Sequence, residues 1–235
     1  MAAGPEERPK TGLTAGGNLR AAVFGVSDGL VSNTSLIMGV AGALSDARTL
    51  LITGAAGLLA GALSMAAGEY VSVSSQRELF EKEIEQERRE LATRPEEEVD
   101  ELARIYHRRG VPLDLACRIS KALSADLKTA LQTHAREELG LNPEDLGSPL
   151  GAALSSFFSF ALGALVPLLP FVFRAGPAAV PLGALLAALG LAAVGALTSR
   201  LTAQPAWRGG ARLLLVGGGA GAIAYSIGRV LGVAV

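Results

Sequence analysis

The chain has one cysteine, Cys117, so no internal disulfide can form and a reducing compartment suits it. Histidine occurs only at positions 107 and 134, and with a lone thiol this is too little material for a zinc-finger or common zinc-hydrolase site. No Walker-type loop and no nucleophile elbow is present, so neither an enzyme nor an organic cofactor is expected. Charge is sparse as well: 18% of the residues are Asp, Glu, Lys or Arg, against about 25% in soluble domains. The net charge of −1 points to no nucleic-acid partner. The first residues are polar up to Leu19, so a cleaved signal peptide is not expected.

What remains is apolar and rich in small residues. Half the residues are hydrophobic and 29 are glycine, a composition suited to helices that pack closely in lipid. A flexible tail is expected over residues 1–19. Two apolar segments follow, Arg20–Leu44 and Leu50–Val73, and three more at Gly151–Phe173, Pro177–Ser199 and Gly210–Val233. Each is long enough to cross a bilayer, which takes about 20 helical residues. Lys and Arg are unevenly placed between them. Arg8, Lys10, Arg20, Arg200, Arg208 and Arg212 fall on one side with residues 74–148, and Arg48 and Arg174 on the other. The richer side is expected to be cytosolic, which puts the N-terminus inside and Val235 outside.

Residues 74–148 hold 17 of the 22 acidic side chains and 12 of the 21 basic ones. Pro95, Gly110 and Gly140 punctuate this stretch into three helices, the third from Pro112 to Gly140. The expected fold is therefore all-α: five transmembrane helices plus a cytosolic three-helix insert between the second and third. Its segments are 1–19, 20–73, 74–148 and 149–235.

Several acids stand where a plain helix would not put them. Asp28 shares a face of the first span with Ser32 and Ser35. Glu69 shares one of the second with Gly61, Met65 and Ser72. A charge at mid-bilayer costs about 2.5–3.5 kcal/mol, so these two acids either line a polar path or meet water at the interface. In the insert, Phe80, Ile84, Glu87 and Leu91 follow one apolar stripe, with Glu90 a neighbour of Glu87. Leu123, Leu127, Leu131, His134 and Glu138 follow another, with Glu137 adjacent, and Glu98 and Glu101 open the middle helix. Carboxylates turned inward repel unless a positive charge lies between them. Arginine would serve, and so would a divalent cation with oxygen and imidazole ligands.

The segments Gly25-Val-Ser-Asp-Gly-Leu30, Ala62-Leu-Ser-Met-Ala-Ala-Gly-Glu-Tyr70, Glu137-Glu-Leu-Gly-Leu141 and Ala161-Leu-Gly-Ala-Leu-Val-Pro-Leu-Leu-Pro170 occur in this order and spacing. In them the chain resembles the vacuolar iron transporter family, as a bacterial-type member related to the plant nodulin-like transporters. The resemblance implies five spans per subunit and a homodimer. It implies a metal-binding insert and export of Fe²⁺ from the cytosol coupled to protons, while the imidazole of His134 among carboxylates suits Mn²⁺ or Zn²⁺ as well. Asp28 and Met65 then belong to the transport path, with Glu69 a candidate for the same path. Glu87, Glu90, Glu98, Glu101 and Glu138 become metal ligands, with His134 and Glu137 as further candidates. Gly57 stands where eukaryotic members carry a glutamate, and His134 where they carry a methionine. A bacterial plasma membrane is expected, or a vacuolar membrane in a eukaryote. A membrane-bound metal sensor or store, or a helical scaffold without metal, would show the same spans.

Overall fold

The computed structural model describes the backbone of residues 13–44 and 46–233, and side chains over 21–44 and 46–232. The expected placements of Arg8, Lys10, the side chain of Arg20 and Val235 lie outside the described residues. Those residues are helical and turn, without a strand. They fall into two compact units, residues 13–15 with 72–148, and residues 16–71 with 149–233.

The second unit carries the long apolar helices. Helix α1 is Leu13–Ala43, so it begins inside the segment read as a tail. Helix α2, Ala47–Thr93, is continuous through both units, because no Gly or Pro interrupts it between Val71 and Arg94. Five helical stretches are long and apolar enough to span a membrane: Ala21–Ala43, the apolar part of Ala47–Thr93, Pro149–Val172, Gly176–Leu201 and Ala206–Gly232. The third is not one smooth helix. Helix α6, Pro149–Leu165, passes through a 3₁₀ turn at Val166–Leu168 into the short α7, Leu169–Val172. Pro167 and Pro170 each remove an N–H from the ladder, which breaks the regular spacing there. Helices α8, Ala179–Leu201, and α9, Ala206–Val233, form the last pair.

Lipid gives helices no hydrophobic reason to associate, so close packing of small residues must supply the attraction. A Cβ added at Gly29 would lie 2.8 Å from the backbone nitrogen of Ala164, and one at Gly163 would lie 3.0 Å from that of Leu30. Helices α1 and α6 thus touch backbone to backbone. Gly42 meets Gly228 and Arg229 in the same way, and Gly195 meets Gly209. Large apolar side chains such as Leu63, Leu162, Leu215 and Val230 are left exposed, as a lipid-facing surface requires. Gly29→Ala should therefore destabilise the fold by roughly 1–3 kcal/mol of overpacking, which exceeds the helix-propensity gain of about 1 kcal/mol. Gly218→Ala meets nothing within 4 Å and should keep only that gain. Thermal melts of the two variants in detergent would show opposite shifts.

The first unit comprises the end of α2 with α3, Pro95–Arg108, α4, Leu113–Leu123, and α5, Leu127–Glu137. Its core holds Ile84, Leu91, Ala130, Leu131 and Leu141, with Phe80 packed alongside. Pro95 opens α3, and Gly110 (φ 98°) follows its end with a backbone that side chains disfavour. The third insert helix expected over 112–140 is two helices. Asp126 caps α5, its Oδ2 accepting from the Thr129 nitrogen at 3.0 Å and the Thr129 hydroxyl at 2.9 Å. Such a cap is worth about 1 kcal/mol and needs extended backbone at Asp126, which ends the preceding helix.

Candidate functional site

In the first unit, three helices each bring a carboxylate to one imidazole. Glu87 lies on the α2 stripe one turn past Ile84. Glu98 lies in the first turn of α3, and His134 and Glu138 stand four residues apart at the end of α5. His134 Nδ1 is 3.0 Å from Glu87 Oε1, 3.5 Å from Glu138 Oε2 and 3.8 Å from Glu98 Oε2. One donor atom from each of the four falls within 4.8 Å of all the others. His134 is fully buried, and Glu87 and Glu98 are 3% and 7% exposed.

This is an expensive arrangement without a cation. Neither ring nitrogen of His134 nor Glu87 Oε1 is in hydrogen-bonding geometry with a partner, although all three are buried. Among the described residues no arginine pairs with Glu87, Glu98 or Glu138. The surface acids do pair with arginine, as Arg77 with Glu81 at 2.7 Å. Burial, and then the charge of Glu87, push the Glu98 and Glu138 carboxyls above their ordinary range. For His134, burial opposes the charged ring, but the carboxylates of Glu87, Glu138 and Glu98 outweigh it and raise the imidazole's pKa. Protons stand in here for positive charge. Three carboxylates and an imidazole suit Fe²⁺, Mn²⁺ or Zn²⁺, whose opposed ligands stand about 4.4 Å apart at bond lengths near 2.2 Å. The unpaired donors fit such an ion.

Of the insert residues named from sequence, four meet here: the acids Glu87, Glu98 and Glu138, and His134. Glu90 and Glu101 lie outside the group of four. Both add charge that raises Glu98, and Glu90 accepts from Gln86 Nε2 at 3.2 Å. Glu137 is turned away and pairs with Arg109, which also donates to its backbone oxygen at 2.9 Å. Adjacent residues on a helix point about 100° apart, so Glu137 and Glu138 leave α5 in different directions.

In the second unit, a cavity of about 310 Å³ opens between α1 and α2. Asp28 and Ser32 line it from α1, and Gly57, Ser64 and Met65 from α2. Asp28 and Met65, named from sequence, therefore share one space. Glu69 does not line it and lies one helical turn beyond Met65; Ser35 is also off its wall. Asn33 and Phe160 line it too and were not foreseen. Asn33 lies five positions past Asp28, off the i, i+4, i+7 stripe, though an amide in a span is itself a readable signal.

Residues 19–229 match the VIT family. The chain belongs to that family. It is 42% identical over 163 residues to the vacuolar iron transporter of Acanthamoeba castellanii, a match covering 69% of this chain and 59% of that protein. Longer matches exist in plants. The vacuolar iron transporter homolog 1 of Arabidopsis thaliana is 34% identical over 216 residues, covering 91% of this chain and 83% of that protein. The VIT-like transporter 1b of Glycine max is 34% identical over 215 residues, covering 91% and 76%. With five spanning helices and this kinship, the VIT family member described here is an integral membrane protein.

Proposed function

We propose that this protein transports divalent metal, Fe²⁺ first and Mn²⁺ second, out of the cytosol in exchange for protons. The observation that carries the reading is the cavity in the membrane-spanning unit, where a carboxylate, Asp28, and a thioether, Met65, share one space. The names of the relatives support the cargo. A carboxylate can hold either a metal ion or a proton, and that alternation is the simplest basis for antiport. The thioether adds a weak, soft ligand that favours Fe²⁺ over Mg²⁺. Weak ligation lets the ion leave again.

The insert is the cytosolic metal-binding part in this reading, and Glu87, Glu98, His134 and Glu138 its ligands. Glu90 and Glu101 add attraction without ligating. The working form is a homodimer in a bacterial plasma membrane, or in a vacuolar membrane if the source is eukaryotic. A metal store would need the insert cluster alone and would leave the Asp28 cavity without a role. Purified protein in liposomes, given external Fe²⁺ and a metal-quenched dye inside, separates the two. Transport predicts quenching that depends on the protein and on a pH gradient; a store predicts binding without entry.

A further inference from the structure

Asn33 is 2% exposed, in a span where an amide must find partners or be costly. Half of it is accounted for. Its Nδ2 donates to the Ala164 carbonyl at 2.7 Å, beside the proline-broken end of α6. The other half is not: Oδ1 is buried and accepts no hydrogen bond. Asn33 also lines the cavity that holds Asp28, Ser32 and Met65. Its oxygen faces α2 at Gly57, lying 2.8 Å from where a Cβ at that position would stand. Gly57 lines the same cavity, so no side chain of residue 57 stands against the oxygen, and only the flexible tip of Leu36 lies closer to that space.

We propose that Asn33 Oδ1 is a ligand for the divalent ion in the membrane cavity, held in aim by the bond from Nδ2 to Ala164. This rests on the transport reading and adds a member to its site. A buried amide oxygen without a donor is a cost in the empty state that a cation removes. A neutral oxygen beside Asp28 lets an ion shed water without adding a second charge that would trap it. The side chain cannot swing away from the cavity without giving up the Ala164 carbonyl.

The test is Fe²⁺ uptake by reconstituted protein, read as KM and Vmax separately, for Asn33→Leu, Asn33→Asp and Gly57→Ala. Asn33→Leu removes the oxygen and should raise KM about tenfold. Asn33→Asp keeps an oxygen and adds charge, so KM should fall below wild type while Vmax drops, because the ion leaves more slowly. Gly57→Ala does not touch the Asn33–Ala164 bond; its methyl displaces the flexible tip of Leu36 and stands against Oδ1, and it should raise KM several-fold. It keeps the proposal testable if the Asn33 variants fail to fold.

A merely structural amide predicts something else. Both Asn33 variants lose the donor to Ala164, so they would behave alike and lower the amount of active protein with KM unchanged. That result, or Gly57→Ala with wild-type KM, overturns the ligand role and leaves the transport reading standing. Wild-type protein that moves no Fe²⁺ sinks the transport reading and this inference together.

Discussion

Asp28→Asn should abolish Fe²⁺ uptake while leaving the protein folded and its insert able to bind metal. The substitution keeps the shape of the side chain and removes its charge and its proton site. Met65, Ser32, Ser64 and Asn33 remain in the cavity, but all are neutral. A divalent ion that has shed its water there would have no opposite charge. Leaving a buried charge without its partner costs about 3–5 kcal/mol. At about 1.4 kcal/mol per factor of ten, uptake should fall by roughly a hundredfold or more. Met65→Leu keeps volume and loses one weak ligand, so it should slow Fe²⁺ only several-fold, and Mn²⁺ less. Glu69 lies off the cavity wall, and Glu69→Gln should cost less than Asp28→Asn. A Glu69 variant as inactive as the Asp28 one would move the path toward the end of the spanning part of α2.

Metal should reverse the pH dependence of the insert's stability. The carboxyls of Glu98 and Glu138 lie above their ordinary value of 4.5 in the folded protein. The native form therefore holds protons that the unfolded chain has released. That stabilisation is present in acid and is lost as pH rises through the raised values. His134 has the same sign: raised above its ordinary 6.5, it stabilises below that pH and less as pH climbs through its folded value. Metal-free protein should thus melt at a lower temperature at pH 8 than at pH 5. Metal ligation needs ionised carboxylates and a neutral imidazole, so its stabilisation grows over the same range. At a hundredfold excess over Kd it amounts to about 2.7 kcal/mol, a shift on the order of 10–20 °C for a unit of this size.

Mn²⁺ serves as an air-stable probe, followed by the loss of the insert's helical signal in the full-length protein. Glu87→Gln should remove most of the metal shift and flatten the pH dependence. Glu137→Gln breaks the pair with Arg109 and should leave the metal shift in place. Equal losses from the two variants would mean the metal binds elsewhere.

The spans were legible because length and hydropathy alone define them. The insert cluster was legible because Glu87 and His134 occupy slots in apolar stripes, where a charge has no solvent. Spacing could not say which neighbours would join. Glu138 follows His134 by one turn, whereas Glu137 is rotated toward Arg109, just past the end of α3. Nothing in the sequence places Arg109 there. The break between α4 and α5 has no Gly or Pro to mark it; only the Asp126 to Thr129 cap signals it, and local capping overrode an otherwise continuous stripe. The 3₁₀ turn in the third span was signalled by Pro167 and Pro170 but hidden by an unbroken apolar run. Asn33 went unseen because a cavity between two helices is wider than one stripe.

Exchange of metal for protons through the Asp28 cavity is the central claim, and one measurement meets it directly. Reconstituted protein is loaded with a dye for divalent metal and a dye for internal pH, and Fe²⁺ is added outside. Wild-type vesicles should show metal entering as protons leave, in step and at rates that scale with each other, and Asp28→Asn vesicles should show neither. Metal entry at the wild-type rate in Asp28→Asn vesicles, or metal entry without any movement of protons, would contradict it.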